Sequence, residues 1–354
     1  MDSGKADDRE PGGAFWPPPR EGGEPRERAY SRPPKIDPAH SFTTIQKNKG
    51  AHRDYISYIQ RMNTLFSRVS DGLDVNSRAV NHISTQLLQS LRDQRGQYLG
   101  FVLGGEVREH EMAKSAVNIA ILSALTAQEL KLPSHKIFYV TISALLHDAG
   151  MFRLPKKITG KKGPLTDAER MQVRGHPLLS REIAMHELSY PDEVGDMVLQ
   201  HHERWDGNGY PNRMAGDAIS IGARIISVAD SFEAMVSPRP YRGSVAGYQA
   251  SKSVLADNLR RFDPDILKVF ILNVGVYPVG SIVRLSTGAV ARVSETQPAT
   301  PLRPKVQILV DEQGRVLANE DASFVDLAAA KRVYIARAIE PQELQEIYEC
   351  PPPS

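Results

Sequence analysis

Cysteine is almost missing from this sequence. The 354 residues include one, Cys350, in the Pro-rich end of the chain, so neither a disulfide framework nor a thiolate metal site can be built. Long hydrophobic runs are missing too. The most apolar stretch, ILKVFILNVGVYPVGSIV, is interrupted by Lys268, Asn273 and Pro278, and it falls short of a membrane-spanning segment. MDSGKADDREPGG at the start has no apolar core of the kind a secretory signal needs. No excess of one charge exists, since 44 Lys and Arg face 42 Asp and Glu for a formal net charge of +2. That balance argues against duplex DNA as a partner and leaves room for a compact anionic ligand. These absences predict a cytoplasmic protein that binds neither DNA nor membrane. With 41% hydrophobic and 24% charged residues, the rest is ordinary for a soluble globular chain with a sizeable core.

Residues 1–45 are rich in Pro, Gly, Arg and Glu, as in WPPPREGGEPRERAYSRPPK, and carry too few apolar groups to offset ordering entropy. They predict a disordered segment. Over 46–100, YISYIQRMNTLF and VNHISTQLLQSL repeat apolar residues at three and four around a Ser-Asp-Gly turn, which predicts a helical preface. The helical period continues through 101–275. Pro133 and Ser134 open a helix that ends at His147-Asp148-Ala149-Gly150, and Thr166 with Glu169 has capping-box spacing. Pro177 suits the first turn of a new helix but not the helix before it. From 276 to 340 the period drops to two in SIVRLS, AVARVSE and KVQILVD, predicting a small β subdomain. Residues 341–354 form a tail. The expected fold is mainly α, a helical bundle with an N-terminal helical extension and a small C-terminal β subdomain.

The unusual residues of the bundle are His147 with Asp148, His176, His201 with His202, and Asp230. Taken singly, a histidine at a helix end has an ordinary use as partner to a carbonyl or to the helix macrodipole. The set points elsewhere. Adjacent residues on a helix diverge by roughly 100°, so two neighbouring histidines serve two ions rather than one. A carboxylate shared between divalent ions roughly 3.5 to 4 Å apart completes such a centre. Imidazole and carboxylate donors suit iron, manganese, zinc or nickel.

HD at 147–148, HP at 176–177, HHERWDGNGYP from 201, the Asp of VADSFEAM at 230 and RPYR at 239–242 together resemble the HD-GYP family of metal-dependent phosphohydrolases. The resemblance covers about residues 100–275. It implies an HD-superfamily helical bundle, two divalent metals with iron or manganese leading, and hydrolysis of cyclic di-GMP to pGpG or GMP by a metal-activated bridging hydroxide. It also implies that His147, Asp148, His176, His201, His202 and Asp230 are metal ligands, with Asp148 bridging. His147 and Asp148 then stand at the catalytic centre, and Glu111 falls on a third-metal position. Tyr210, Arg239 and Arg242 fall on dinucleotide-binding positions, while Asp206, Gly207, Gly209 and Pro211 shape the loop that carries Tyr210.

Two positions depart from the family pattern. Ser115 stands where HSxxVA places a histidine, which weakens or removes the third metal site, and His110 is poorly placed to substitute. Met151 stands where HDxGK places a lysine, removing one cation from the transition state. Alternative readings follow: a module that binds metals and cyclic di-GMP as a sensor with little turnover, or a hydrolase of another cyclic dinucleotide. Trp205 and Phe232 are read as core residues. The helical preface is the expected contact of a homodimer, and the β subdomain has no chemical motif.

Overall fold

A computed structural model describes residues 49–104, 111–237, 247–256, 260–317, 323–339, 343–344 and 347. The segment 1–45, His110, Arg239, Arg242 and nearly all of the tail lie outside the described residues.

Eleven helices are described: α1 Lys49–Ser70, α2 Ser77–Gly104, α3 Glu111–Glu129, α4 Ser134–Leu146, α5 Lys156–Thr159, α6 Asp167–Arg174, α7 His176–Glu182, α8 Asp192–Gln200, α9 Ile221–Val236, α10 Gly247–Ala256 and α11 Pro264–Val274. The local reasons are those the sequence suggested. Thr166 accepts from the Glu169 amide while Glu169 accepts from that of Thr166, a complete capping box at the head of α6. Pro177 lies in the first turn of α7, where its missing N–H costs nothing. Asp263 caps α11 by accepting from the amides of Asp265 and Ile266.

One apolar cluster runs through the bundle, and α1 is part of it. Tyr55, Ile59, Met62, Phe66 and Val69 are buried at intervals of three and four, the stripe that makes an amphipathic helix pack. Phe66 stacks on Phe152 with ring centroids 4.6 Å apart. Tyr55 donates to Asn118 on α3 at 2.7 Å. The preface therefore spends its apolar face on the bundle, and residue 100 falls inside α2, which bends at Gln94. Phe232 is fully buried against Phe270, 5.4 Å between centroids. Trp205, expected in the core, is only half-buried, with the Arg224 guanidinium 5.4 Å over its ring.

Beyond the bundle, β1 Ile282–Leu285, β2 Val290–Glu295, β3 Lys305–Val310, β4 Phe324–Asp326 and β5 Ile335–Ala338 form one antiparallel sheet in the order β4-β3-β2-β1-β5. Val283 pairs with Ala291 and Arg292 with Gln307. The middle strands are buried on both faces: Val293 and Val306 pack on one side, Leu309 with Ile339 and Leu344 on the other. Strict alternation is accordingly lost in β2 and β3. Among the described residues, no helix is long and apolar enough to cross a membrane.

Candidate metal centre and substrate loop

Four elements converge on one point. α4 stops at Leu146, and His147 follows as its cap. Asp148 leaves the helix at φ −102°, ψ 9°, and a 3₁₀ turn over Ala149–Arg153 begins. Gly150 makes the turn possible at that distance from α7. A β-carbon there would stand 2.6 Å from the Ser180 amide nitrogen and would also collide with the His176 carbonyl, so only glycine fits. Its amide donates to Ser180 Oγ at 2.7 Å, which ties the turn to the helix that carries His176.

Three histidines share one arrangement. Nδ1 of His147, His176 and His201 lies 2.8, 2.7 and 2.6 Å from the carbonyls of Ala144, Val173 and Val198. A carbonyl only accepts, so each Nδ1 carries the hydrogen and each Nε2 presents a lone pair. Those lone pairs face one another: His176 Nε2 lies 3.3 Å from His201 Nε2. His147 Nε2 is buried with no hydrogen-bond partner. Asp148 divides its oxygens, with Oδ1 3.0 Å from His176 and 3.8 Å from His201, and Oδ2 3.4 Å from His147. Asp148, His176, His201 and His202 each offer a donor atom, and all four donors lie within 4.8 Å of one another. Buried lone pairs converging on a shared carboxylate repel unless a cation lies between them. The donor set therefore fits divalent metal.

Electrostatics tell the same story. Burial opposes charge on Asp148, but His147 and His176 overcome it and hold the carboxyl well below the usual range. Burial also opposes a proton on His147, yet Asp148 outweighs it and lifts this group to about 9, so without a cation the His147 Nε2 lone pair is taken by a proton facing Asp148, the place a metal would fill. Burial and then the neighbouring histidines keep His201 well below 6.5, and burial followed by His176 takes His202 down to about 3. Between pH 6.5 and 3 the unfolded chain thus binds a proton at His202 that the folded chain refuses. Stability of the metal-free protein rises with pH across that window and is lost as pH falls through it, by up to about 1.4 kcal/mol per pH unit for each such histidine. Urea midpoints measured from pH 7 to pH 4 check this.

The remaining candidates fall at different distances from the cluster. Asp230, half-buried on α9, acts electrostatically on His147 and Tyr210. Glu111 opens α3 as an exposed residue and is not among the four gathered donors. Ser115 donates to Glu233 Oε2 at 2.8 Å. Glu233 is 1% exposed and also accepts from Asn118 and Ser237. Ser115 is thus committed to a buried carboxylate. Met151 is half-buried in the 3₁₀ turn.

The loop from 201 to 211 is held by a residue that spacing did not single out. Glu203, 2% exposed, accepts from the amides of Asn212 at 2.6 Å and Met214 at 3.0 Å. Backbone donors leave no mark in a sequence, so nothing but the motif glutamate itself hinted at this. Asp206 accepts both guanidinium bonds of Arg204, at 3.0 and 2.6 Å, and the Asn208 amide at 3.0 Å. The Arg204 bond holds Asp206 down to about 2. Gly207 takes φ +76°, and a β-carbon on Gly209 would lie 2.5 Å from the Glu203 Cα. The Tyr210–Pro211 bond is cis. Tyr210 lies against His202, ring centroids 4.8 Å apart, with the Arg174 guanidinium 5.5 Å from its ring centre. Burial pushes its hydroxyl pKa up.

Residues 105–266 match the HD domain family and residues 282–347 match the KOW domain associated with HD domain. The chain is 34% identical over 236 residues to a cyclic di-GMP phosphodiesterase of Pseudomonas aeruginosa, covering 66% of this chain and 55% of that one. It is 27% identical over 232 residues to the cyclic di-GMP phosphodiesterase PdeB of Borreliella burgdorferi, covering 66% and 61%. It is also 29% identical over 195 residues to 3'3'-cGAMP-specific phosphodiesterase 3 of Vibrio cholerae, covering 54% and 42%. The chain thus spans little more than half the length of the first two. A solved HD-GYP-type protein of Bdellovibrio bacteriovorus shares the fold, with a TM-score of 0.51 at 15% identity over 65% of this chain and 74% of that one. Residues 105–266 thus form an HD domain, and its HD and HHExxDGxGYP signatures are of the HD-GYP type.

Proposed function

We propose that this protein is a metal-dependent phosphodiesterase that hydrolyses cyclic di-GMP to pGpG or GMP. The observation that carries this reading is the set of buried imidazole lone pairs turned on both oxygens of Asp148. His147, Asp148, His176, His201, His202 and Asp230 would hold two divalent ions, iron or manganese ahead of zinc or nickel. Such ions lower the pKa of water toward about 7 and neutralise charge on phosphoryl oxygens. The chain's own groups do the rest. The Nδ1–carbonyl bonds fix the imidazoles of His147, His176 and His201, so these three donors need not reorganise as charge develops. Tyr210, braced by Glu203 through the loop, offers a ring and a hydroxyl for positioning the substrate, and Arg239 and Arg242 are assigned to phosphate oxygens. Ser115, engaged with Glu233, supports two metals rather than three. Chain division at about residues 45, 275 and 340, a cytoplasmic setting and a homodimer formed through the faces of α1 and α2 turned away from the bundle complete the proposal. Metal analysis coupled to a hydrolysis assay tests it; metal-loaded protein that leaves cyclic di-GMP intact refutes it.

The names of the Vibrio cholerae relatives keep 3'3'-cGAMP as a second substrate, and comparing initial rates on the two dinucleotides separates the cases. Met151 is where a lysine would add one charged contact to the phosphate. Met151→Lys is expected to raise kcat about tenfold, the worth of one charge-assisted hydrogen bond. An unchanged kcat would show that the methionine costs nothing.

A further inference from the structure

We propose that Arg174 is a substrate-binding residue whose guanidinium holds a pair of acceptor atoms on the cyclic dinucleotide, outside the phosphate being cleaved. The proposal rests on the reading of the site as a dinucleotide phosphodiesterase and adds to it a residue that none of the recognised motifs contains. Arg174 is the last residue of α6, and two routes lead from it to the metal cluster. Along the chain it lies two residues before His176, and the carbonyl of its neighbour Val173 is the one that fixes His176 Nδ1 at 2.7 Å. Across space its guanidinium carbon lies 5.5 Å over the Tyr210 ring, whose centroid is 4.8 Å from that of His202. His202 closes the circuit, 5.0 Å from His176 between ring centroids. The side chain thus reaches over the substrate loop, and its charged end stands one ring away from a metal donor.

Arg174 is exposed, and the carboxylates near it in the chain and in the loop are engaged elsewhere. On its own helix Asp167 pairs with Arg170 at 2.6 Å and Glu169 with Lys161 at 2.5 Å. In the loop that carries Tyr210, Asp206 receives both bonds of Arg204, and Glu203 accepts from the amides of Asn212 and Met214. Among the described residues, no ion pair or hydrogen bond engages the Arg174 guanidinium. Contact with the Tyr210 ring steadies it without neutralising it, and a long cation that is already held loses less freedom on binding. The result is a planar fork of donors, kept in place and open to solvent, beside a site for a ligand with two negative charges. Such a fork matches paired acceptors.

A cyclic dinucleotide offers paired acceptors in two places that a simple diester lacks. One is the free oxygens of its second phosphate; the other, where the base is guanine, is the O6 and N7 edge. The shared chemistry is a flat pair of acceptors facing a guanidinium. The scissile phosphate itself is assigned to the ions held around Asp148. Tyr210 is the ring that His202 and Arg174 have in common, which leaves Arg174, a ring removed, for the rest of the ligand.

The test compares metal-loaded wild type with Arg174→Gln and Arg174→Lys. It measures binding of hydrolysis-resistant phosphorothioate analogues of cyclic di-GMP and cyclic di-AMP, and turnover of cyclic di-GMP and of bis(p-nitrophenyl) phosphate, a simple diester. The expected result in Arg174→Gln is a loss of cyclic di-GMP analogue affinity of about tenfold or more with an unchanged rate on the simple diester. Arg174→Lys, which keeps the charge but not the fork, loses less. An equal loss on both analogues assigns the second phosphate; a loss confined to the guanine analogue assigns the base edge. Arg174→Gln is also combined with Tyr210→Ala, where a direct contact keeps its cost. A cost that vanishes in that background shows that Arg174 only braces the ring, and overturns the proposal. Unchanged analogue affinity in Arg174→Gln, or an equal loss on the simple diester, also overturns it and leaves the proposed activity standing. Arg174-dependent binding with no hydrolysis of cyclic di-GMP by wild type keeps the role and rejects the hydrolase. A wild type that binds neither analogue overturns both.

Discussion

Asp148→Ala is expected to lower cyclic di-GMP hydrolysis by about a thousandfold or more and to leave the purified protein depleted of metal. Both oxygens of this carboxylate are engaged, Oδ1 toward His176 and His201 and Oδ2 toward His147, so its removal separates the two halves of the donor set. The loss is larger than that of a single neutral hydrogen bond because three imidazole lone pairs are left facing each other with no counter-charge. About 4 kcal/mol of lost transition-state stabilisation corresponds to that rate. Elemental analysis with single-turnover kinetics checks it. A variant that keeps its metal and its rate would show that Asp148 does not organise the centre.

Gly150→Ala is expected to destabilise the protein by about 2 to 4 kcal/mol and to reduce activity with it. Most glycine-to-alanine changes at turns act through the unfolded chain, but this one meets fixed backbone. The added carbon would strike the His176 carbonyl and stand 2.6 Å from the Ser180 nitrogen and 2.8 Å from the Leu179 Cβ, and main chain cannot move aside as a flexible side chain does. Relief requires α7 to shift away from the turn. That shift would carry His176 Nε2 off its 3.0 Å approach to Asp148. Denaturant melts and metal content should therefore change together. A stable variant with normal metal content would show that the turn tolerates more space than its geometry allows.

The helix ends and the signature loop were legible in the sequence because the same residues that terminate helices also carry the chemistry. His147 and Asp148 close α4, Pro177 opens α7 beside His176, and Gly207 and Gly209 mark a loop that needs φ > 0 and close approach. What was not legible depended on partners distant in sequence. α1 shows an amphipathic stripe, but the stripe does not say that Phe66 will brace Phe152 in the HD turn. Glu203 acts on backbone amides nine and eleven residues away, groups every sequence has. Ser115 reads as a missing histidine, whereas in the fold it is a donor to Glu233 across 118 positions. β4 and β5 are three and four residues long, too short for periodicity to register, and burial on both faces removes the alternation that marks longer strands.

The central claim is that the centre turns substrate over and does not merely bind it. Product analysis of cyclic di-GMP incubated with metal-loaded protein tests this most directly. The account predicts linear appearance of pGpG or GMP in proportion to protein, abolished by chelation and restored by added metal. Tight binding of cyclic di-GMP with no product over many hours would contradict it and leave a sensor in place of an enzyme.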